Sequence, residues 1–233
     1  MAKPQLKPTA AQTFTVPRGS GAESPWDFVR LLARSYELQR AGSVEEACNL
    51  RYEAFRRLYE LIPEDEETIL EWEDDNSRAA LMVINASSID HFLIGDWEMS
   101  AAMSELLLEL DPEDHLEASA RLAYTYLADG DFDSFDEIIN DVSDKLADKE
   151  ILTLWCEFMR EGRLPEGELI RFKRRFAPYY DEFVAGEHPV DDTYLREIDS
   201  ERPTPRALAR ELWLRTENLW ARHPDFIEAL KKS

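Results

Sequence analysis

The sequence is poor in glycine and cysteine and has no long apolar run. Only 8 of its 233 residues are glycine, and alanine, leucine, glutamate and arginine are abundant, which favours helices over strands. Two cysteines, Cys48 and Cys156, are too few for a disulfide framework, so we expect buried thiols in a reducing compartment. The longest apolar runs, such as AALMVINA, are far too short to cross a bilayer. The composition therefore predicts a soluble, helical, cytoplasmic protein with no membrane partner.

The N-terminal residues 1–23 lack the apolar core of a signal peptide. They contain no acidic residue before Glu23 and carry several prolines and threonines. That composition is compatible with a weak organelle-targeting peptide, but it favours a disordered or extended tail.

Basic residues are nearly absent from the middle of the chain. Residues 60–150 hold 27 acidic residues and four basic ones, a net charge of −23, whereas the whole chain carries −22. Such a segment repels nucleic-acid phosphates and anionic membranes and attracts a basic partner. An equally open alternative is that the acidic surface only aids solubility.

Sequence motifs for catalysis, cofactor binding or metal binding are also missing. The four histidines are scattered, and no HExxH, paired CxxC, glycine-rich phosphate loop or GxSxG occurs. Acidic pairs such as Glu71 and Asp75 suit the acid and base of a hydrolase, but acidic runs in helical proteins are usually solvated faces. We therefore predict a protein that is not an enzyme, with no catalytic, cofactor-binding or metal residues.

One acidic cluster has partial calcium-loop spacing. Asp129, Asp131 and Asp133 match the first three ligand positions of such a loop, but Ser134 and Asn140 stand where glycine and glutamate are needed. The same residues suit a helical turn, in which glycine ends one helix and aspartate caps the next. A helical hairpin is the favoured interpretation.

Helical periodicity and turn glycines divide the chain into hairpins. Ser24 and Pro25 are suited to begin a helix that ends at Gly42, and Ser43 with Glu46 forms a capping box for a second helix through about Ile62. Later hairpins turn at glycines 95, 130 and 162, so the separations are 53, 35 and 32 residues. The last two are close to a fixed period, which indicates stacked helical hairpins.

The segments FLIGDWEMSAAMSELLLELDP and YLADGDFDSF resemble tetratricopeptide repeats. Aromatic, acidic, small and closing proline positions match the family pattern at Tyr126, Asp96–Trp97, Asp131–Phe132, Ser100 and Pro112. The resemblance covers about residues 26–176 and is best at 80–142. The small residue expected five positions after the turn glycine is replaced by Phe135 and Gly167 in later units. The resemblance implies an all-α, right-handed superhelix of α-α hairpins, irregular at both ends.

We predict three regions on this basis: a tail at 1–23, a repeat domain at 24–186, and a C-terminal loop with a capping helix at 187–233. Thr204 and Pro205 begin that helix. A basic, aromatic group precedes it and would suit nucleic acid, but we expect it to pair with acids of the preceding hairpin or of a neighbouring subunit. Its basic members are Arg160, Arg163, Arg171, Lys173, Arg174 and Arg175.

The resemblance also implies a function, since arrays of this family bind peptides or partner helices on an inner surface. We expect a scaffold or adaptor whose acidic surface binds a basic or neutral protein segment; direct nucleic-acid binding is disfavoured and the oligomeric state is open. An alternative is a DNA mimic that occupies a nucleic-acid-binding protein. The candidate partner-binding residues are Arg78, Asn85, Ser88, His91, Glu117, Arg121 and Tyr124.

Overall fold

A computed structural model describes residues 4–19, 21, 23–63 and 65–233. Over these residues the chain forms twelve helices and three short strands, which confirms the prediction of a mostly helical protein. The strands are β1 (Lys7–Ala10), β2 (Thr13–Thr15) and β3 (Ile69–Leu70). The helices are α1 (Phe28–Arg40), α2 (Val44–Tyr59), α3 (Asp75–Ile94), α4 (Trp97–Leu110), α5 (Ala118–Asp129), α6 (Phe132–Ile138), α7 (Ala147–Glu161), α8 (Glu166–Arg175), α9 (Ala177–Phe183), α10 (Asp192–Ile198), α11 (Pro205–Arg222) and α12 (Pro224–Lys231).

The predicted glycine turns are confirmed. Glycines 42, 95, 130 and 162 follow α1, α3, α5 and α7 and have φ values of 82°, 80°, 77° and 70°. A residue with a Cβ is strained in this left-handed region, whereas glycine is not. After two of these turns an aspartate caps the next helix: Asp96 accepts from the Met99 amide and Asp131 from the Ser134 amide. All four corners therefore have the expected glycine, and two of them also have the expected aspartate cap.

The chain divides into two compact units. The first contains the described residues up to Phe92 together with Asp96–Thr125, and the second contains Leu93–Gly95 and Tyr126–Ser233. The core of the first unit is aliphatic with few aromatic rings, and its fully buried members include Phe28, Leu58, Leu81, Ile84, Met103 and Leu107. The core of the second unit contains more rings: Trp155, Phe172, Phe183, Trp220 and Phe226.

A small sheet in the first unit was not predicted. Strand β1 pairs antiparallel with β2, and β2 pairs parallel with β3, so that Thr13 lies opposite Ile69. The segment expected to be a disordered or extended tail, residues 1–23, thus contains two strands, and Val16 in it is buried with 2% of its surface exposed. A two-residue strand such as β3 carries no periodicity that a sequence pattern reveals.

Asn76 fixes this N-terminal segment to the helices. Its side-chain nitrogen donates to the carbonyls of Val16 (2.8 Å) and Trp26 (3.0 Å), and its oxygen accepts from the Phe28 amide (2.9 Å). Because Asn76 is 1% exposed, these bonds replace water for three backbone groups at the start of α1 and after β2.

One of three helix starts differs from the prediction and two agree. Helix α1 begins at Phe28 with Asp27 as its cap, not at Ser24, because the Ser24 hydroxyl instead accepts from the Trp26 amide. Ser43 does precede α2, but its side chain makes no capping hydrogen bond. The start of α11 is as predicted, since the Thr204 hydroxyl accepts from the Ala207 amide and Pro205 is the first residue of the helix.

Candidate functional site

An open apolar groove lies between α1 and α3 in the first unit. Its volume is about 470 Å³. Two of its apolar side chains are notably exposed, Val29 at 38% and Tyr36 at 39%. The lining residues are Val29, Leu32, Ala33, Tyr36, Asp75, Arg78, Ala79 and Met82. Apolar side chains held at the surface on two neighbouring helices offer contact area to a partner's side chain.

One acidic residue lies at one end of this groove. Asp75, at the start of α3, has a side chain that is 66% exposed and contacts Arg78 on its own helix and Arg18 at 4.0 Å. The preceding residues from Asp65 contribute six more acids and no base. The chain that leads into α3 is therefore acidic, which favours a positively charged group of a partner near the apolar contacts.

Tyr36 is oriented from within the unit. The guanidinium of the buried Arg51 lies 5.4 Å from the centre of the Tyr36 ring, within the range of a cation–π contact. Arg51 is itself held by Asp90, whose Oδ1 accepts from Nη1 at 2.8 Å. The aromatic wall of the groove is therefore supported by an ion pair between α2 and α3.

The structure separates the predicted partner-binding residues into exposed and buried sets. Arg78 lines the groove, and its Nη1 donates to the Trp72 carbonyl at 3.0 Å. Asn85 is partly exposed, and its Oδ1 has no hydrogen-bond partner within the described part of the chain. Glu117 is exposed with a φ of 52° before α5, and the His91 Nδ1 lies 2.9 Å from Asp96 Oδ2.

Ser88 and Tyr124 are not surface residues, in contrast to the expectation. Ser88 is fully buried, and its hydroxyl donates to the Ser100 carbonyl at 3.0 Å. The Arg121 Nε donates to Ser88 Oγ at 2.9 Å and to Ser104 Oγ at 3.2 Å. Tyr124 is 2% exposed, with its ring edge-on to Phe92. Ser100 and Ser104 on α4 thus bind the Ser88 hydroxyl and the Arg121 Nε inside the unit, which a pattern of polar residues does not reveal.

Three members of the basic group pair with acids: Arg160 with the preceding hairpin, as predicted, and Arg171 and Arg175 within their own hairpin. Arg160 donates to Asp136 at 2.7 Å, and Arg171 Nε donates to both oxygens of Glu150 at 3.0 and 2.9 Å. Arg175 Nη1 lies 3.6 Å from the same Glu150 carboxylate. The Glu150 contacts join α8 to α7, and the Asp136 contact joins α7 to α6, all within the second unit.

A buried ionic cluster in the second unit was not predicted from the sequence. Glu182 accepts from Arg210 through both oxygens, and the Arg210 Nη1 also donates to the Pro189 carbonyl at 2.6 Å. The His188 Nδ1 lies 2.6 Å from Glu182, and its ring stacks on Trp213 with centroids 3.9 Å apart. Both oxygens of the Glu182 carboxylate are engaged. The cluster therefore attaches α9 and the loop that follows it to α11.

A second cavity, of about 290 Å³, lies between α10 and α11. Tyr194 lines it and donates to the Glu211 carboxylate. Burial, together with this hydrogen bond, raises the pKa of Tyr194, so the phenol stays protonated at neutral pH. Arg206 and Arg210 also line the cavity, but the guanidinium of Arg210 is already committed to Glu182.

Asp131 has a helix-capping role. Hydrogen bonds from the side chain and amide of Ser134 lower the pKa of Asp131, so its carboxylate is charged at neutral pH. Among the residues that the structure describes, no three His, Cys, Asp or Glu side chains are arranged to hold a metal ion. The described part of the chain also contains no helix long and apolar enough for a membrane span.

Comparison with known proteins gives no relative. No protein-family model matches the sequence, and neither a curated protein nor a solved structure matches the chain. The resemblance to tetratricopeptide repeats therefore rests on the sequence pattern and remains a prediction.

Proposed function

We propose that this protein is a non-enzymatic adaptor that binds a basic or neutral segment of a partner protein in the groove between α1 and α3. The observation that carries the proposal is the exposure of Val29 and Tyr36 on the groove wall beside the exposed carboxylate of Asp75. We further propose that the four glycine-turned hairpins are divergent tetratricopeptide-like units of one repeat stack. In that family the first helix of each hairpin supplies the binding surface, and α1 and α3 hold those positions here.

The chemistry of the groove specifies the bound segment. An apolar side chain would contact Val29, Tyr36 and Met82, and a lysine or arginine one or two turns away would lie beside Asp75. An apolar anchor supplies most of the affinity in such contacts, while the charge sets the preference between partners.

Selection from a peptide library tests this proposal, because the library samples segments of every chemistry. A random-peptide phage library is selected on the wild-type protein, and synthetic copies of the enriched peptides are measured by fluorescence anisotropy. We expect peptides that combine a large apolar residue with lysine or arginine. Val29→Glu places a charge on the apolar wall, and we expect it to weaken binding by about tenfold.

Val44→Glu is the matched control, because Val44 is an exposed valine of the same unit, 55% exposed at the start of α2 and outside the groove. Peptides that bind the two variants equally well would place the site elsewhere and contradict the proposal.

The acidic segment also supports a second candidate function, that of a DNA mimic. Asp65, Glu66 and Glu67 are exposed in a run without basic residues, and spaced carboxylates can imitate phosphates. The two candidates differ in one measurement. Duplex DNA competes with a mimic for its partner, whereas a peptide bound in the α1–α3 groove is indifferent to DNA. The cytoplasmic location and the absence of catalysis remain predictions under either candidate.

A further inference from the structure

A basic stripe with an apolar centre runs along the exposed side of α8. Gly167, Ile170, Arg171 and Arg174 follow one another at helical spacing, and all four are exposed. Ile170 is 58% exposed, more than any valine, leucine or isoleucine of the described chain except Ile94. The stripe borders a shallow depression of about 480 Å³ that Arg175 also lines.

The arginines of this stripe are not neutralised by the acids around them. Arg171 and Arg175 share the carboxylate of Glu150, and Asp144 near Arg175 is itself paired with Lys149, so these three bases and two acids leave one positive charge. Arg174 is exposed and has no ion-pair partner anywhere in the described residues. Residues 163–175 contain five basic and two acidic residues, in a chain whose net charge is −22. The stripe is therefore a local basic patch on an acidic protein.

Gly167 makes the stripe accessible to another chain. Glycine inside a helix costs about 1 kcal/mol relative to alanine. Here no neighbouring atom requires it, since a Cβ built at Gly167 would meet nothing within 4 Å. Because Gly167 has no side chain, it leaves the backbone uncovered one turn before Ile170, and a second chain can approach closely there.

We propose that the α8 stripe docks a short acidic segment of a partner protein, with an apolar side chain of that segment placed on Ile170 and its carboxylates beside Arg171 and Arg174. The charge preference is the reverse of that of the α1–α3 groove, so the inference stands apart from the proposed function. Charge complementarity favours this occupant. A second copy of the chain brings a further −22 charges, and duplex DNA brings about one negative charge per 1.7 Å, so both are repelled more strongly than a short peptide.

A labelled acidic peptide is the probe. Fluorescein-labelled Glu-Asp-Glu-Leu-Glu-Asp-Glu is titrated with the full chain and followed by anisotropy, alongside a peptide with serine in place of leucine. We expect saturable binding that weakens as sodium chloride rises from about 50 to about 300 mM, since salt screens exposed charges. The leucine peptide binds more tightly than the serine peptide, because the leucine covers Ile170.

Two variants and a matched control localise the binding. We expect Arg174→Glu and Ile170→Ser each to weaken the affinity for the leucine peptide by at least about fivefold. Arg206→Glu makes the same change in charge at another exposed arginine of the second unit, which has no ion pair in the described chain, and leaves the affinity within about twofold. Circular dichroism checks that each variant folds, and Arg174→Gln replaces Arg174→Glu if the latter does not.

Each contrary result would overturn the proposal. If the leucine peptide does not bind the wild-type protein, the proposal is wrong. It is also wrong if Arg206→Glu weakens binding as much as Arg174→Glu does, because the effect would then come from net charge alone. Tighter binding of a single- or double-stranded oligonucleotide at the same arginines assigns the stripe to nucleic acid. A dimer in analytical ultracentrifugation that Arg174→Glu dissociates assigns it to a second copy.

Discussion

Among the described residues, each of the two compact units buries one arginine, and the two are held in different ways. Arg51 in the first unit is 4% exposed and is bound by Asp90 on α3 and by Ser35 and Gln39 on α1. Arg210 in the second unit is 9% exposed and is bound by Glu182 on α9 and the Pro189 carbonyl in the following loop. Arg51 thus joins three helices through several partners, whereas Arg210 depends mainly on one buried carboxylate. The comparison indicates that the second unit is the more vulnerable to loss of a single acid.

Loss of that carboxylate is the largest effect we expect. Glu182→Ala leaves the Arg210 charge buried without its counterion, which costs about 3–5 kcal/mol in the free energy of unfolding. Asp90→Ala costs less, about 2 kcal/mol, because Arg51 keeps Gln39 and Ser35 and Asp90 is itself more exposed. Urea titration followed by circular dichroism measures both. Glu187→Ala, at an exposed acid close to Glu182 in sequence, is the control and leaves the midpoint nearly unchanged. Equal losses of unfolding free energy in Glu182→Ala and Asp90→Ala would contradict this difference between the two units.

Over the described part of the chain, the first unit, unlike the second, contains a small sheet that one buried side chain, Asn76, attaches to the helices. Asn76→Ala removes hydrogen bonds to Val16, Trp26 and Phe28 at a buried position, and we expect a loss of about 2–3 kcal/mol. Hydrogen exchange should accelerate in β1, β2 and the first turn of α1. The exposed Asn49→Ala on α2 serves as the control, and an equal effect there would contradict the role of Asn76 as a clamp.

The smallest effect that we expect is a difference in reaction rate between the thiols of Cys48 and Cys156, one in each unit. Burial raises the pKa of Cys156 to about 11, and Cys156 is 2% exposed. Burial, followed by the nearby Asp90 carboxylate, raises the pKa of the half-buried Cys48 by a lesser amount. Since the thiolate is the reactive form, Cys48 should react slowly and Cys156 hardly at all with an aromatic disulfide reagent at pH 8. The reactions are followed by absorbance, with Cys48→Ser and Cys156→Ser for assignment.

Urea then provides a second readout for the two thiols. Cys156 should become reactive at the concentration at which the second unit unfolds. A Cys156 that reacts as fast as Cys48 in the native protein would show that the second unit opens readily.

Local chemistry made the turns and some helix ends predictable, whereas non-local pairing did not. Gly130 followed by Asp131 specifies a left-handed residue and a cap within two positions, so the α5–α6 corner follows from neighbouring residues alone. Strand β3 exists because it pairs with β2, more than fifty residues earlier, and no local pattern contains that partner. Ser88 is polar and helical, and its burial depends on serines of α4 that lie twelve and sixteen positions later.

The candidate sites show the same division. Arg78 is predictable because it is a polar residue on a predicted first helix of a hairpin. The exposed Val29 and Tyr36 are not, because apolar residues at helical spacing are usually core. Arg210 and Glu182 also escape prediction because charged residues in helices are usually solvated, and only tertiary contacts distinguish the exceptions.

The parallel pairing of Thr13 and Phe14 with Ile69 and Leu70 has a consequence for synthesis of the chain. A ribosome delivers residues in order, so the first two strands emerge long before the strand and the asparagine that hold them. Until about residue 77 has left the exit tunnel, this N-terminal stretch has no docking place and is exposed to proteases and chaperones. The order of translation thus delays the docking of β1 and β2 until the start of α3 has been made.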